Sequence, residues 1–186
     1  MVSKIQEFSF DKDNLRKAEE IIGHYPKDRQ RSAVLPLLDL AQRQVGGWLP
    51  QTAIEYVAKF LELPFIRVYE IATFYTMFNL KSVGKYHIQI CGTTPCWLRG
   101  GADITKACSK NLKIKLGETT TDKQFSMIEV ECLGACANAP VVQINDNYFE
   151  DLTPELMNTL LDKLKTGSPV GQGSQIGRNG AEPKTS

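Results

Sequence analysis

Four of the five cysteines fall in two short segments whose spacing suits metal chemistry. The segment from Cys91 to Cys96 has four residues between its cysteines, and the segment from Cys132 to Cys136 has three. Four thiolates without a histidine favour a soft-metal centre, either tetrahedral zinc or an iron–sulfur cluster. Structural zinc sites often use a gap of about two residues, so the wider gaps favour a cluster, with zinc as the alternative.

The fifth cysteine, Cys108, is expected to have a different role. It lies on an apolar stripe with Ile104 and Leu112 at four-residue spacing, and free cysteine is a common buried side chain, so we expect it in a helix core. The chain also lacks the Cys-x-x-Cys segment that a thioredoxin-type dithiol enzyme would need.

Arg99 follows Cys96 closely and would favour the reduced state of a metal centre, or it is simply a solvated residue at the start of a helix. We interpret the two histidines, His24 and His87, as structural.

Composition and charge exclude several classes of protein. The chain has 186 residues and 42% hydrophobic content, which is enough for a real core. Its 22 basic and 21 acidic residues nearly cancel, so no broad cationic surface for nucleic acid is expected. No apolar stretch approaches the ~20 residues that span a bilayer, and the first residues resemble neither a signal segment nor a transit peptide. Clustered cysteines without an export signal indicate a reducing compartment, and any membrane association is expected to go through a partner.

Helical periodicity predicts four helices between residues 11 and 80. The predicted boundaries are Asp13 and Gly23 for the first helix, Ser32 and Gly46-Gly47 for the second, and Pro50 and Pro64 as the starts of the third and fourth. This region is rich in aromatic residues, which we interpret as core, with a cofactor box or a docking surface as the alternative. They are Phe60, Phe65, Tyr69, Phe74, Tyr75 and Phe78.

From residue 85 the hydrophobic period changes to two. Alternation at Tyr86, Ile88 and Ile90 predicts one strand, and alternation at Ile128, Val130 and Cys132 predicts another. We expect each strand to end at a cysteine pair held in a loop, so that both pairs meet at one edge of a sheet. A helix over about 99–111 is predicted to link the strands.

The remaining elements close a small sheet and cover it. A strand over 141–145 is predicted to turn at Asp146-Asn147 into a second strand at 148–149. A last helix is predicted from its cap at Thr153 to Gly167. The following residues cannot form a core and are expected to be flexible or to lie along a partner.

The predicted fold is α+β, with a helical bundle followed by a thioredoxin-like α/β domain. We place the N-terminal four-helix region, which is expected to dock a partner, at residues 1–82. The metal-binding domain is placed at residues 83–166, and the tail at 167–186.

The sequence resembles the 24-kDa iron–sulfur subunit of respiratory complex I, the NADH:quinone oxidoreductase. The resembling segments are 33–44 (AVLPLLDLAQRQ), Gly47-Trp48, 69–78 (YEIATFYTMF), 91–99 and 131–152 (ECLGACANAPVVQINDNYFEDL). The resemblance implies that Cys91, Cys96, Cys132 and Cys136 bind one [2Fe–2S] cluster in a thioredoxin-like domain. The chain departs from the family pattern at Gly92, where threonine is expected, and this change is expected to alter a hydrogen bond to sulfur but not ligation.

The resemblance also implies a one-electron transfer subunit that has no substrate site of its own. Its expected partners are the flavoprotein subunit, which carries FMN and binds NADH, and the large iron–sulfur subunit. The implied location is peripheral, on the cytoplasmic face of a bacterial inner membrane or on the matrix side of the mitochondrial inner membrane. A free ferredoxin and a zinc-bound structural adaptor are the alternative functions.

Overall fold

The computed structural model describes residues 7–179, which form two compact units that meet in the sequence between Ser82 and Val83. The α-helices are α1 (Lys12–Gly23), α2 (Val34–Val45), α3 (Gln51–Phe60), α4 (Phe65–Phe74), α5 (Thr94–Leu98), α6 (Gly101–Leu112) and α7 (Pro154–Thr166). The strands are β1 (Tyr86–Cys91), β2 (Phe125–Val130), β3 (Val142–Ile144), β4 (Asn147–Glu150) and β5 (Gly173–Ser174). Short 3-10 helices cover Gln30–Ala33 and Cys136–Asn138.

The N-terminal unit contains α1 to α4, as the periodicity predicts. The first helix is capped by Asp11 rather than by Asp13, because Asp11 has extended backbone angles and its carboxylate accepts a hydrogen bond from the Asn14 N–H at 2.8 Å. The second helix ends where Gly46 takes a φ of +96°, a conformation that favours glycine. Small and branched side chains at the helix contacts form a core that is separate from that of the second unit.

The aromatic residues of α4 do not form a core, and this part of the sequence interpretation is wrong. Phe78 is buried, but Phe65, Tyr69 and Tyr75 are all exposed, and Phe74 keeps 77% of its surface exposed. The reason is that α4 packs against the rest of the bundle through the face that carries the smaller side chains Val68 and Ala72. The bulky side chains are left on the outer surface of the unit.

The second unit is a mixed sheet of five strands in the order β2-β1-β3-β4-β5. Strand β1 runs parallel to β2 and antiparallel to β3, β3 and β4 form a hairpin, and β5 lies parallel to β4. Apolar side chains of α6 and α7 pack with those of the sheet in one core. The predicted α+β class, with a helical region followed by a sheet that helices cover, is therefore confirmed.

Three details of the sheet differ from prediction. In β2 the buried apolar side chains are Phe125 and Met127, whereas Ile128 is 39% exposed, because a two-residue period fixes alternation but not which set faces the core. This strand also ends at Val130, before Cys132. The β3–β4 turn lies one residue earlier than predicted, since Ile144 pairs with Asn147 and the positive φ of +54° belongs to Asn145.

The chain after α7 does not behave as a free tail. The helix itself has its predicted cap at Thr153 and ends at Gly167, with a φ of +70°. Beyond it, Val170 packs against the core and residues 173–174 add strand β5 to the edge of the sheet. The part of the predicted tail over 180–186 lies outside the described residues.

Candidate metal centre

The first cysteine pair spans the end of β1 and the short helix α5. Cys91 is the last residue of β1. Cys96 lies inside α5, whereas the sequence predicted an open loop for it. Pro95 near the helix start fixes a helical φ, which lets the chain turn immediately after the strand. Both thiols are almost completely buried, at 2% and 1% exposure.

The second cysteine pair lies in the segment that follows β2. Gly134 has a φ of +85°, which turns the chain so that the Sγ atoms of Cys132 and Cys136 lie 3.4 Å apart. The Gly134 N–H donates to the Cys132 sulfur, also at 3.4 Å. Cys136 then begins the 3-10 helix that ends at Asn138. Unlike the first pair, both of these cysteines are exposed.

The two pairs meet at one place beside the sheet. Leu133 and Ala135, from the second segment, pack against a small buried cluster that contains Cys91 and Cys96. The Tyr148 hydroxyl of β4 donates to the Leu133 carbonyl at 2.7 Å and fixes this contact. The predicted convergence therefore occurs, and its physical basis is that β1 and β2 are parallel and deliver their carboxyl ends to the same edge.

Within the buried pair, the environment separates the acidity of the two thiols. Burial by itself raises the pKa of Cys91, but hydrogen bonds from the side chain and backbone of Thr93 and from the backbone of Leu133 outweigh it and lower the pKa. The Thr93 hydroxyl lies 3.3 Å from the Cys91 sulfur. Burial raises the pKa of Cys96 to about 12, and the neighbouring Cys91 adds to the rise.

In the exposed pair, too, the pKa of one thiol is lowered and that of the other is raised. The hydrogen bond from the Gly134 N–H is the main cause that lowers the pKa of Cys132, and the hydrogen bond between Cys132 and Cys136 is the second cause. That shared hydrogen bond in turn raises the pKa of Cys136. Charge on Cys91 raises the pKa of both residues, which is a further sign that the two pairs lie close to each other.

Four other residues were singled out from the sequence, namely Cys108, Arg99, His24 and His87. Cys108 is fully buried in the α6 core, where burial raises its pKa to about 12. Arg99 is the exposed residue that ends α5, and its effect on a metal centre stays a prediction. His24 caps the end of α1, and His87 lies in β1 with its Nδ1 atom 2.8 Å from the Ser126 hydroxyl.

Sequence reasoning missed two residues that shape this site. Thr93 supplies a hydroxyl beside Cys91, and Tyr148 holds the second cysteine segment in place. The sequence carries a local signal only for Thr93, which stands two residues after a candidate ligand. Tyr148 is distant in sequence, so only the folded sheet reveals its contact.

The donor set consists of four thiols in two adjoining pairs. Within residues 7–179, no three histidine, cysteine, aspartate or glutamate side chains are grouped as they would be around one metal ion. A [2Fe–2S] cluster takes four cysteine thiolates in total.

Comparison with known proteins gives the class first. Residues 18–165 match the model of the thioredoxin-like [2Fe–2S] ferredoxin family. A solved NAD+-reducing [NiFe]-hydrogenase in its H2-reduced state shares the fold, with a TM-score of 0.63 at 22% identity. That match covers 72% of this chain but only 23% of the hydrogenase chain.

Curated relatives make the assignment more specific. The NADH-quinone oxidoreductase subunit designated E in Rickettsia bellii is 67% identical over 165 residues, which cover 89% of this chain and 99% of the relative. The mitochondrial NADH dehydrogenase [ubiquinone] flavoprotein 2 of Dictyostelium discoideum is 49% identical over 94% of this chain and 71% of its own length. The chain therefore belongs to this family of NADH-quinone oxidoreductase subunits, within the thioredoxin-like [2Fe–2S] ferredoxins. The resemblance inferred from the sequence is confirmed.

Proposed function

We propose that this chain holds one [2Fe–2S] cluster on Cys91, Cys96, Cys132 and Cys136 and serves as a one-electron transfer subunit of an NADH:quinone oxidoreductase. The supporting observation is that the segment of the second cysteine pair, through Leu133 and Ala135, packs against the small buried cluster that contains Cys91 and Cys96. When bound, a cluster of this kind accepts and returns a single electron.

The surrounding residues would perform three tasks at this centre. Burial of Cys91 and Cys96 excludes water from one side. The Gly134 N–H and the Thr93 hydroxyl point at sulfur, and hydrogen bonds to ligand sulfur stabilise negative charge there and raise the reduction potential. The exposed pair, Cys132 and Cys136, leaves the opposite side accessible, so we assign electron exchange to that side.

We assign the flavin chemistry to a partner. The proposed partners are the flavoprotein subunit, which would carry FMN and bind NADH, and the large iron–sulfur subunit; the names of the relatives support membership of such an assembly. The N-terminal unit offers an exposed aromatic surface, defined by Phe65, Tyr69, Phe74 and Tyr75, and we propose that it docks the flavoprotein.

We propose a peripheral place for the subunit, on the cytoplasmic face of a bacterial inner membrane or on the matrix side of the mitochondrial inner membrane. Within residues 7–179, no helix combines the length and the apolar character needed to cross a bilayer.

The cluster assignment is tested by metal analysis of anaerobically purified chain. We expect equal amounts of iron and acid-labile sulfide, and an electron paramagnetic resonance signal on reduction. Cys132→Ala should lose the visible cluster absorption. Cys108→Ala is the matched control and should keep it, because Cys108 lies in the separate α6 core. Zinc in place of iron, or loss of the cluster in both variants, would contradict the assignment.

The docking assignment is tested by co-purification with the flavoprotein subunit. Phe74→Ser removes the most exposed aromatic side chain of the surface and should weaken recovery of the partner while the cluster spectrum stays unchanged. Leu116→Ser is the control, since Leu116 is also an exposed apolar residue, at 41%, but lies in the second unit. Equal recovery with both variants would remove the aromatic surface from the interface.

A further inference from the structure

The chain after α7 returns to the second cysteine segment. We call residues 173–178 the C-terminal strap. Its strand β5 pairs with β4, and the Gln175 N–H donates to the Glu150 carbonyl at 3.0 Å. The Ser174 hydroxyl donates to the Asp151 carboxylate at 2.8 Å and accepts from the Arg178 N–H at 3.2 Å. The strap is therefore fixed to the sheet by both backbone and side-chain hydrogen bonds.

Arg178 joins the strap to a buried carboxylate. Its Nε donates to one Asp151 oxygen at 3.0 Å and its Nη2 to the other at 2.9 Å, which is the bidentate geometry of a strong ion pair. The side chains are only 12% and 1% exposed. A buried carboxylate left without this partner would be strongly unfavourable, so the pair holds the strap in one position.

The same guanidinium reaches the cysteine segment. Its Nη2 also donates to the Ala137 carbonyl at 2.7 Å and to the side-chain oxygen of Asn138, so its two N–H groups are shared among three acceptors, Asp151 included. These residues directly follow Cys136. Asn138 is itself buried, and its side chain donates to Glu150 at 2.7 Å. Its carbonyl accepts from the Asp151 N–H at 2.7 Å, so one network connects strap, sheet and segment.

We propose that Arg178 is a positioning residue for the metal centre: through Ala137 and Asn138 it holds the segment that carries Cys132 and Cys136 in its binding geometry. This inference rests on the ligand set proposed above. The segment needs such support because its two cysteines are exposed, whereas Cys91 and Cys96 are held by a strand, a helix and burial. Arg178 thus adds a second anchor, at the end of the segment opposite to the Leu133 carbonyl that Tyr148 holds.

The first test uses the full chain without metal and follows backbone amide hydrogen exchange. Arg178→Met keeps the length of the side chain but removes its charge and its donors. We expect faster exchange in peptides covering 132–138, with no change in α6. Lys106→Ala is the control, because its ion pair with Asp103 is exposed and lies on α6. Unchanged exchange over 132–138 in Arg178→Met would overturn the proposal.

The second test measures iron release to a chelator from the cluster-loaded chain. Substitutions behind metal ligands typically weaken metal retention about 10- to 100-fold, and we expect an effect of that size in Arg178→Met but not in Lys106→Ala. Release at the wild-type rate in Arg178→Met would overturn the proposal.

The double variant Asp151→Asn with Arg178→Met separates positioning from general stability. It contains no unpaired buried charge, so its Tm should return toward that of the wild type. Iron release should nevertheless stay fast, because the donors to Ala137 and Asn138 are still missing. Recovery of both Tm and retention would show that the pair only stabilises the fold. A wild-type chain that holds no cluster would refute the ligand assignment instead, and the exchange experiment on the metal-free chain would still decide the role of the strap.

Discussion

Gly101 is the residue whose replacement should most directly disturb the backbone of the metal centre. It begins α6 and is buried. A Cβ atom at this position would lie 2.9 Å from the Cys96 carbonyl oxygen and 3.1 Å from the carbonyl carbon. Both atoms belong to the backbone of a proposed ligand, so they cannot move away as the end of a flexible side chain could. Gly101→Ala should therefore displace Cys96 or the start of α6.

The expected magnitude follows from two opposing effects. Overpacking a closely packed site typically costs about 1–3 kcal/mol. Replacing glycine by alanine also restricts the unfolded chain, which stabilises the fold by roughly 0.4–1 kcal/mol. Overpacking is the larger effect, so we expect a net destabilisation of about 1–2 kcal/mol. In a chain of this size that corresponds to a Tm lower by roughly 3–6 °C.

The assay is thermal unfolding of Gly101→Ala, with and without the cluster, followed by circular dichroism and visible absorption. Gly171→Ala is the control in the same unit, because a Cβ there would have no neighbour within 4 Å. The control should unfold at or slightly above the wild-type temperature. If Gly101→Ala unfolds at the same temperature as Gly171→Ala and binds the cluster equally well, the close approach of Gly101 to Cys96 has no energetic importance.

Three further predictions concern acidity and packing. In the metal-free chain at pH 8, iodoacetamide should modify Cys132 faster than Cys136, because both are exposed but only Cys132 has a lowered pKa; equal rates, read by mass spectrometry of peptides, would contradict this. Burial lowers the pKa of His87 below its ordinary value of 6.5, so the unfolded chain binds more protons there and stability should fall as pH decreases below 6.5. Denaturant unfolding between pH 7.5 and 5.5 should show a smaller decline in His87→Gln than in wild type. Gly92→Thr should change the free energy of unfolding by no more than about 0.5 kcal/mol, since the atom that a Cβ would meet at 2.6 Å belongs to the flexible side chain of Glu129; a larger loss that persists with Glu129→Ala would refute this explanation.

The sequence by itself determined the features that depend on neighbours along the chain. Thr153 caps α7 because its own hydroxyl accepts from the Leu156 N–H, and Gly46 ends α2 because it readily takes a positive φ. The spacing of the cysteines likewise indicated a soft-metal centre. The four-residue apolar stripe placed Cys108 in a helix core.

Tertiary structure decided the features that depend on which surface is covered. The sequence predicted the alternation of side chains in β2. Only packing against α6 and α7 decided that Phe125 and Met127 form its apolar face toward the core. The exposure of Phe74 follows from which side of α4 meets its neighbours, and hydrophobicity alone does not contain that information. The contact of Arg178 with Asp151 joins residues far apart in sequence, and no local pattern marks such a pair. Burial and long-range hydrogen bonding are properties of the folded chain, and they hold the two cysteine pairs side by side.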